Sequence, residues 1–255
     1  MRWRRRPQRA LPDEAPTIVS RHLDEWRHLT TGERDRLLRD TADLVETKQW
    51  EPSQGFELTD SMCTVIAAQA ALMVLGLDIG LYRHVKAVVV HPRKLTLTTP
   101  RPGPVPGLMT DEPIDLDGEA HDREGPVLLA WDVVRRETQH RGNGRNVVIH
   151  EFAHKIDMLD GMIDGTPPMA DEVQHRRWVE VCGAEYAALR DGADDPVLRD
   201  YGASDPGEFF AVAAEAFFDG PLQLAELKPG LYGVLRDYFR QDPAARRAVV
   251  GRPEF

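Results

Sequence analysis

The sequence predicts an α+β fold, mostly helical, with a small mixed sheet beside one buried helix. Three observations predict it. Apolar residues recur at helical spacing through the first 80 residues and again after residue 146. Short β-branched or aliphatic runs stand between those stretches, at 85–90 and 127–131. Strands and helices do not alternate in a regular βαβ array, and no internal repeat is present. With 255 residues the chain is long enough for a sizeable core.

The elements follow in chain order. Residues 1–15 carry Arg2, Arg4, Arg5, Arg6 and Arg9 with no apolar run behind them, so a disordered basic tail is expected rather than an export signal. Pro16 to Arg27 and Gly32 to Lys48 read as two helices, the second lined by Leu37, Leu38, Leu44 and Val45. Thr31 is the expected cap of the second, with Arg34 where a capping box has Glu, and Trp50-Glu51-Pro52 is its expected end. A buried helix is expected at 59–75, starting at Thr59-Asp60 and ending near Gly76. Its apolar run, Met62 to Leu77, is shorter than the roughly 20 residues of a membrane span.

Val85 to Val90 reads as a strand, with a second at Lys94 to Thr99. Residues 100–126, rich in proline, glycine and acids, read as a long irregular segment. Val127 to Trp131 is the next strand, expected to run on into a short helix or turn and then the Gly142-Asn143-Gly144 turn. A helix begins near Asn146. Another is expected at 171–190, with Trp178, Val181, Cys182, Tyr186 and Leu189 as its apolar stripe. Pro206 opens a helix that reaches about Phe218. Helices at 229–240 and after Pro243 complete the chain. Residues 16–255 are thus expected to form one domain, with a helical part at 16–80 and a part bearing the chemistry at 81–255.

A net charge of −10 repels phosphate backbones and argues against direct nucleic-acid binding. The two cysteines, Cys63 and Cys182, lie in apolar contexts without CxxC spacing, which points to the cytoplasm rather than to a disulfide scaffold.

The chemistry lies in His150-Glu151-Phe152-Ala153-His154. Histidines four apart on a helix share a face, so both imidazoles reach one ion, and Zn2+ is the expected metal. Glu151 is placed to act on a water held by that ion. A zinc hydrolase needs a third protein ligand and an open fourth position. Four acids compete for the third place. Asp160 lies ten residues after His150, but Asp157 stands where that arrangement has a turn glycine. Asp157 lies near the histidine face and suits hydrogen bonding behind the ligands. Glu208 and Glu215 share a face of a separate helix, and Glu208 is favoured. His84, His91 and His175 read as surface or packing residues.

The stretch Asn146 to Gly161, NVVIHEFAHKIDMLDG, resembles the zinc-peptidase core of the Mlc titration factor A family. Gly125 to Asp132, Asp205 to Val212 and Ile66 to Ala70 share the resemblance, which covers about residues 20 to 240. That family is similar in turn to the catalytic domain of anthrax lethal factor, where a Tyr precedes the ligand Glu by seven residues, as Tyr201 precedes Glu208 here. The resemblance implies a zincin-like fold with zinc on His150, His154 and Glu208. It implies Glu151 as general base and Tyr201 as donor to the oxyanion. It also implies a cytoplasmic, aminopeptidase-type enzyme acting on peptides, with a transcriptional repressor similar to Mlc as a further partner. On that basis the strand at 127–131 is the expected edge for peptide pairing. A rival expectation is a regulatory binding protein that sequesters a repressor and keeps an auxiliary zinc site.

Overall fold

A computed structural model describes residues 9–53, 55–93, 95–97, 101–102, 109–110, 114–116, 118–119, 125–169, 171–192 and 194–250. Helices α1 (Ala15–His22), α2 (Thr31–Thr47) and α3 (Asp60–Met73) fill the N-terminal part, with the short strand β1 (Gln49–Pro52) between the last two. Strands β2 (Ala87–His91), β3 (Leu95–Leu97), β4 (Arg101–Pro102), β5 (Met109–Thr110), β6 (Ile114–Leu116), β7 (Gly118–Glu119) and β8 (Val127–Ala130) follow. The rest is helical: α4 (Trp131–Gln139), α5 (Val147–Asp157), α6 (Glu172–Arg190), α7 (Pro206–Asp219), α8 (Pro221–Leu227), α9 (Pro229–Phe239) and α10 (Pro243–Val250). The mostly helical α+β reading holds.

The main sheet has the order β1-β2-β8-β7, with β1, β2 and β8 parallel and β7 antiparallel at the edge. Val88 and Val90 of β2 are buried beside Val127 and Leu129 of β8, as period-two alternation requires of a half-covered sheet. β3 pairs with β6 and β4 with β5, both antiparallel. From Cys63 to Met73 every residue of α3 is buried. Its apolar side chains join one cluster with those of α5, α7 and α9 and the sheet.

Several expectations are corrected. The first helix stops at His22, because Leu23 is extended, and residues 24–28 form a 3-10 turn. The cap of α2 is Thr30, not Thr31. The Thr30 oxygen accepts from the Glu33 N–H at 3.3 Å and Glu33 accepts from the Thr30 N–H at 2.9 Å, a capping box one residue earlier that supplies the carboxylate Arg34 lacks. Trp50-Glu51-Pro52 does end the helix, but as part of β1; an outer strand tolerates a proline that donates no hydrogen bond. The segment at 100–126 contains β4 to β7 rather than irregular chain alone. Strand 127–131 is not an edge, since β2 and β7 flank β8 on its two sides. Residues 94, 98 and 99 of the expected second strand lie outside the described residues, as do residues 1–8 of the basic tail. Of that tail's described part, Arg9 pairs with Asp60 and donates to the Leu58 carbonyl at 2.7 Å, and α1 already begins at Ala15. Among the described residues no helix is long and apolar enough to cross a membrane.

Candidate metal centre

The centre forms where α5 packs against α7. Asn146 caps α5, its side-chain oxygen accepting from the Val148 and Ile149 N–H groups at 3.1 Å each. Its amide also donates to Gln69 of α3 at 2.7 Å, so the start of the motif helix is fixed from outside. The whole of α5 is buried, and Lys155 donates from the interior to the Gly125 carbonyl at 3.0 Å, just ahead of β8. Asp205 caps α7 by accepting from the Glu208 N–H at 2.9 Å, and Pro206 occupies the first turn, where its missing N–H costs nothing.

These frames bring three donor atoms together. His150 Nε2 lies 3.2 Å from His154 Nε2 and 3.0 Å from Glu208 Oε2, and His154 Nε2 lies 3.5 Å from Glu208 Oε2. Such separations are the edges of a tetrahedron whose corners lie about 2 Å from its centre, the bond length zinc makes to imidazole and carboxylate. Glu208 Oε2 is buried, and its close neighbours are the two imidazole nitrogens, as suits an oxygen that shares an ion with them. Two imidazoles and one carboxylate could therefore hold a divalent metal.

Behind the ligands, His150 Nδ1 lies 2.8 Å from Glu215 Oε1. Glu215 is nearly fully buried; it also pairs with Arg199, and its Oε2 accepts from the Asn146 N–H at 2.6 Å. A carboxylate there places the imidazole proton on Nδ1 and leaves Nε2 facing the other two donor atoms. Burial opposes a charge on His150, but its bonds to Glu208 and Glu215 outweigh burial and push it up to about 10. Burial likewise works against the Glu208 carboxylate, yet the two imidazoles hold it well below the usual range. Both shifts mark a pocket that favours positive charge.

Glu151 is buried on the same helix, close enough for its charge to act on His150 and Tyr201. Tyr201 comes from a 3-10 turn at Asp200–Ala203, and its hydroxyl donates to Glu208 Oε1 at 3.1 Å. Partial burial and the neighbouring Glu208 raise the phenol above its ordinary value, which keeps the proton available for donation.

The other candidates lie outside this triangle of donor atoms. Glu215 turns its oxygens to His150 Nδ1, Arg199 and Asn146, so it backs a ligand rather than joining the set. Asp157 is fully buried and accepts from the Gly165 N–H at 3.0 Å; burial pushes it up to about 6. Asp160 is exposed and accepts from the Met162 N–H at 3.0 Å. Sequence reasoning missed Arg199, and it missed Glu137, which accepts from the Val147 N–H at 2.6 Å and is pushed up to about 7 chiefly by burial. Neither carried a local signal. Asn146 did, being a cap residue directly before the motif.

The sequence matches the family described as glucose-regulated metallo-peptidase M90 over residues 1–240. An uncharacterized protein of Synechocystis is similar at 32% identity, over 94% of this chain and 89% of its own. Mlc titration factor A of Edwardsiella ictaluri is similar at 31% identity over 96% and 94%, and that of Pectobacterium atrosepticum at 31% over 86% and 83%.

Proposed function

Since the chain belongs to the glucose-regulated metallo-peptidase family M90, we propose that it is a zinc-dependent peptidase with His150, His154 and Glu208 as ligands. The observation that carries this reading is the triangle of Nε2, Nε2 and Oε2 atoms 3.0–3.5 Å apart. We read residues 16–255 as one zincin-like domain acting in the cytoplasm; the antiparallel edge strand beside the motif helix and the unpaired Cys63 and Cys182 support this.

Zinc, when bound, would supply Lewis acidity, lowering the pKa of a water to about 7 and drawing charge from the scissile carbonyl. Glu151 takes the proton of the attacking water and returns it to the leaving amine. The Tyr201 hydroxyl, released from Glu208 Oε1, donates to the oxyanion. The peptide backbone pairs with the outer side of β7 rather than with β8, which both neighbours cover. Aminopeptidase-like cleavage of short peptides is the activity we assign.

Cleavage of short peptides by the wild-type chain and by Glu151→Gln tests the reading. The variant should keep its zinc and lose at least about a hundredfold in kcat. Full hydrolysis by the zinc-loaded variant would sink the mechanism. A second reading rests on the relatives named Mlc titration factor A: the chain also binds a transcriptional repressor similar to Mlc. Equal repressor binding by the wild-type and Glu151→Gln chains would support it as a separate role.

A further inference from the structure

Among the described residues, the exposed large apolar side chains include Met162, Ile163 and Tyr201, and two of these three touch the first turn of α7. Tyr201 bonds Glu208. Ile163 packs on Gly207, the residue before Glu208, so closely that a Cβ there would lie 2.8 Å from its Cγ2 atom. Ile163 therefore packs on the turn that carries Glu208, one residue from that side chain, with Met162 beside it in the chain. Ile163 is 49% exposed and Met162 56%.

The loop that carries them is held firmly. Gly161 is left-handed, with φ 95°, and Asp160 accepts from the Met162 N–H at 3.0 Å. Beyond Ile163, Asp164 accepts from the Thr166 N–H at 3.0 Å. The Gly165 N–H donates to Asp157 at 3.0 Å, and its carbonyl accepts from Trp178 Nε1 at 3.0 Å. Two half-exposed apolar side chains thus stand on an ordered loop that touches the turn bearing Glu208. Ordered apolar surface beside a reaction centre has the chemistry of a side-chain subsite.

Resting on the peptidase reading above, we propose that Ile163 and Met162 form a subsite for a large aliphatic side chain of the substrate, next to the scissile bond. The occupant is a leucine- or methionine-sized residue, because the two walls offer methyl and thioether groups and no side-chain hydrogen-bonding group. The subsite sets preference among peptides and takes no part in holding the metal.

The test uses the full zinc-loaded chain and two peptides that differ only in having leucine or serine next to the cleaved bond. The wild type should favour the leucine peptide by about tenfold or more in kcat/KM, the range one apolar side chain commands. Ile163→Ser with Met162→Ser should lose most of that preference, with zinc content unchanged. Leu222→Ser, on α8, should keep the preference. If the wild type cleaves both peptides equally, or the double variant keeps the full preference, the subsite is wrong and the peptidase reading stands. If the wild type cleaves neither, the peptidase reading fails. The ratio of dissociation constants for the two labelled peptides, by fluorescence anisotropy, then decides the subsite alone: tenfold supports it and equality overturns it.

Discussion

Glu215 shows how much one residue away from the ligand set can control. It receives His150, Arg199 and the Asn146 N–H together, and it is nearly fully buried. Glu215→Gln keeps the shape but puts an NH2 group against at least one of three donors. Zinc affinity should fall by about 10- to 100-fold, measured by competition with a chromogenic chelator. An unchanged affinity would show that the His150 ring is oriented by other means. Glu208→Ala should go further and leave the purified chain with almost no metal by elemental analysis, since two imidazoles alone close no tetrahedron. At this scale the sequence was most legible. His150, Glu151 and His154 are set by spacing on one helix, so five residues of sequence are enough. Arg199 and Glu137 were illegible because their partners lie 16 and 10 residues away and nothing local announces them.

Between elements, Gly165 is the tightest joint. Its φ is 72°, and a Cβ would stand 2.2 Å from the Pro206 carbonyl oxygen at the start of α7. Gly165→Ala meets both the left-handed strain, about 1–3 kcal/mol, and a collision with backbone. We expect a lower thermal midpoint and weaker zinc binding together, because the collision pushes on the turn that carries Glu208. Loss of stability with unchanged zinc affinity would separate the two elements. Helix positions were readable here from periodicity and from Pro206, Asp205 and Asn146. Pairings were not. The role of Trp50 as a strand residue depends on β2, and the covering of β8 depends on Gly118–Glu119, a pair with no strand propensity of its own. The Thr30 cap was missed by one residue because two adjacent threonines give the same signal, and only Glu33 tells them apart.

At the level of the whole molecule, pH acts through buried titrating groups. His150 is pushed up to about 10, so what its proton contributes to the metal-free fold is full below about 6.5 and lost as pH rises toward 10. Asp157 at about 6 and Glu137 at about 7 are raised acids; they favour the fold below about 4 and weaken it as pH climbs through those values. Glu208 is lowered and acts oppositely, withdrawing support only as pH falls below the ordinary carboxylate range. In chelator the thermal midpoint should therefore fall from pH 7 to pH 9, above the range in which burial-lowered His22, His28 and His91 act the other way, with the net charge of −10 adding self-repulsion. Zinc at pH 8 should raise it, since a cation replaces the proton on His150. A flat profile in chelator would contradict the assigned contacts. The tie between Asn146 and Gln69 has a further effect. It joins the motif helix to a residue 77 positions earlier, and Gln241 donates to the Leu72 and Met73 carbonyls of the same α3 from 168 positions or more beyond them. Contacts of such long sequence separation form late and slow the search for the native state. A fragment that lacks residues 1–75 keeps His150, His154 and Glu208 yet loses both ties, and it should emerge unable to retain zinc.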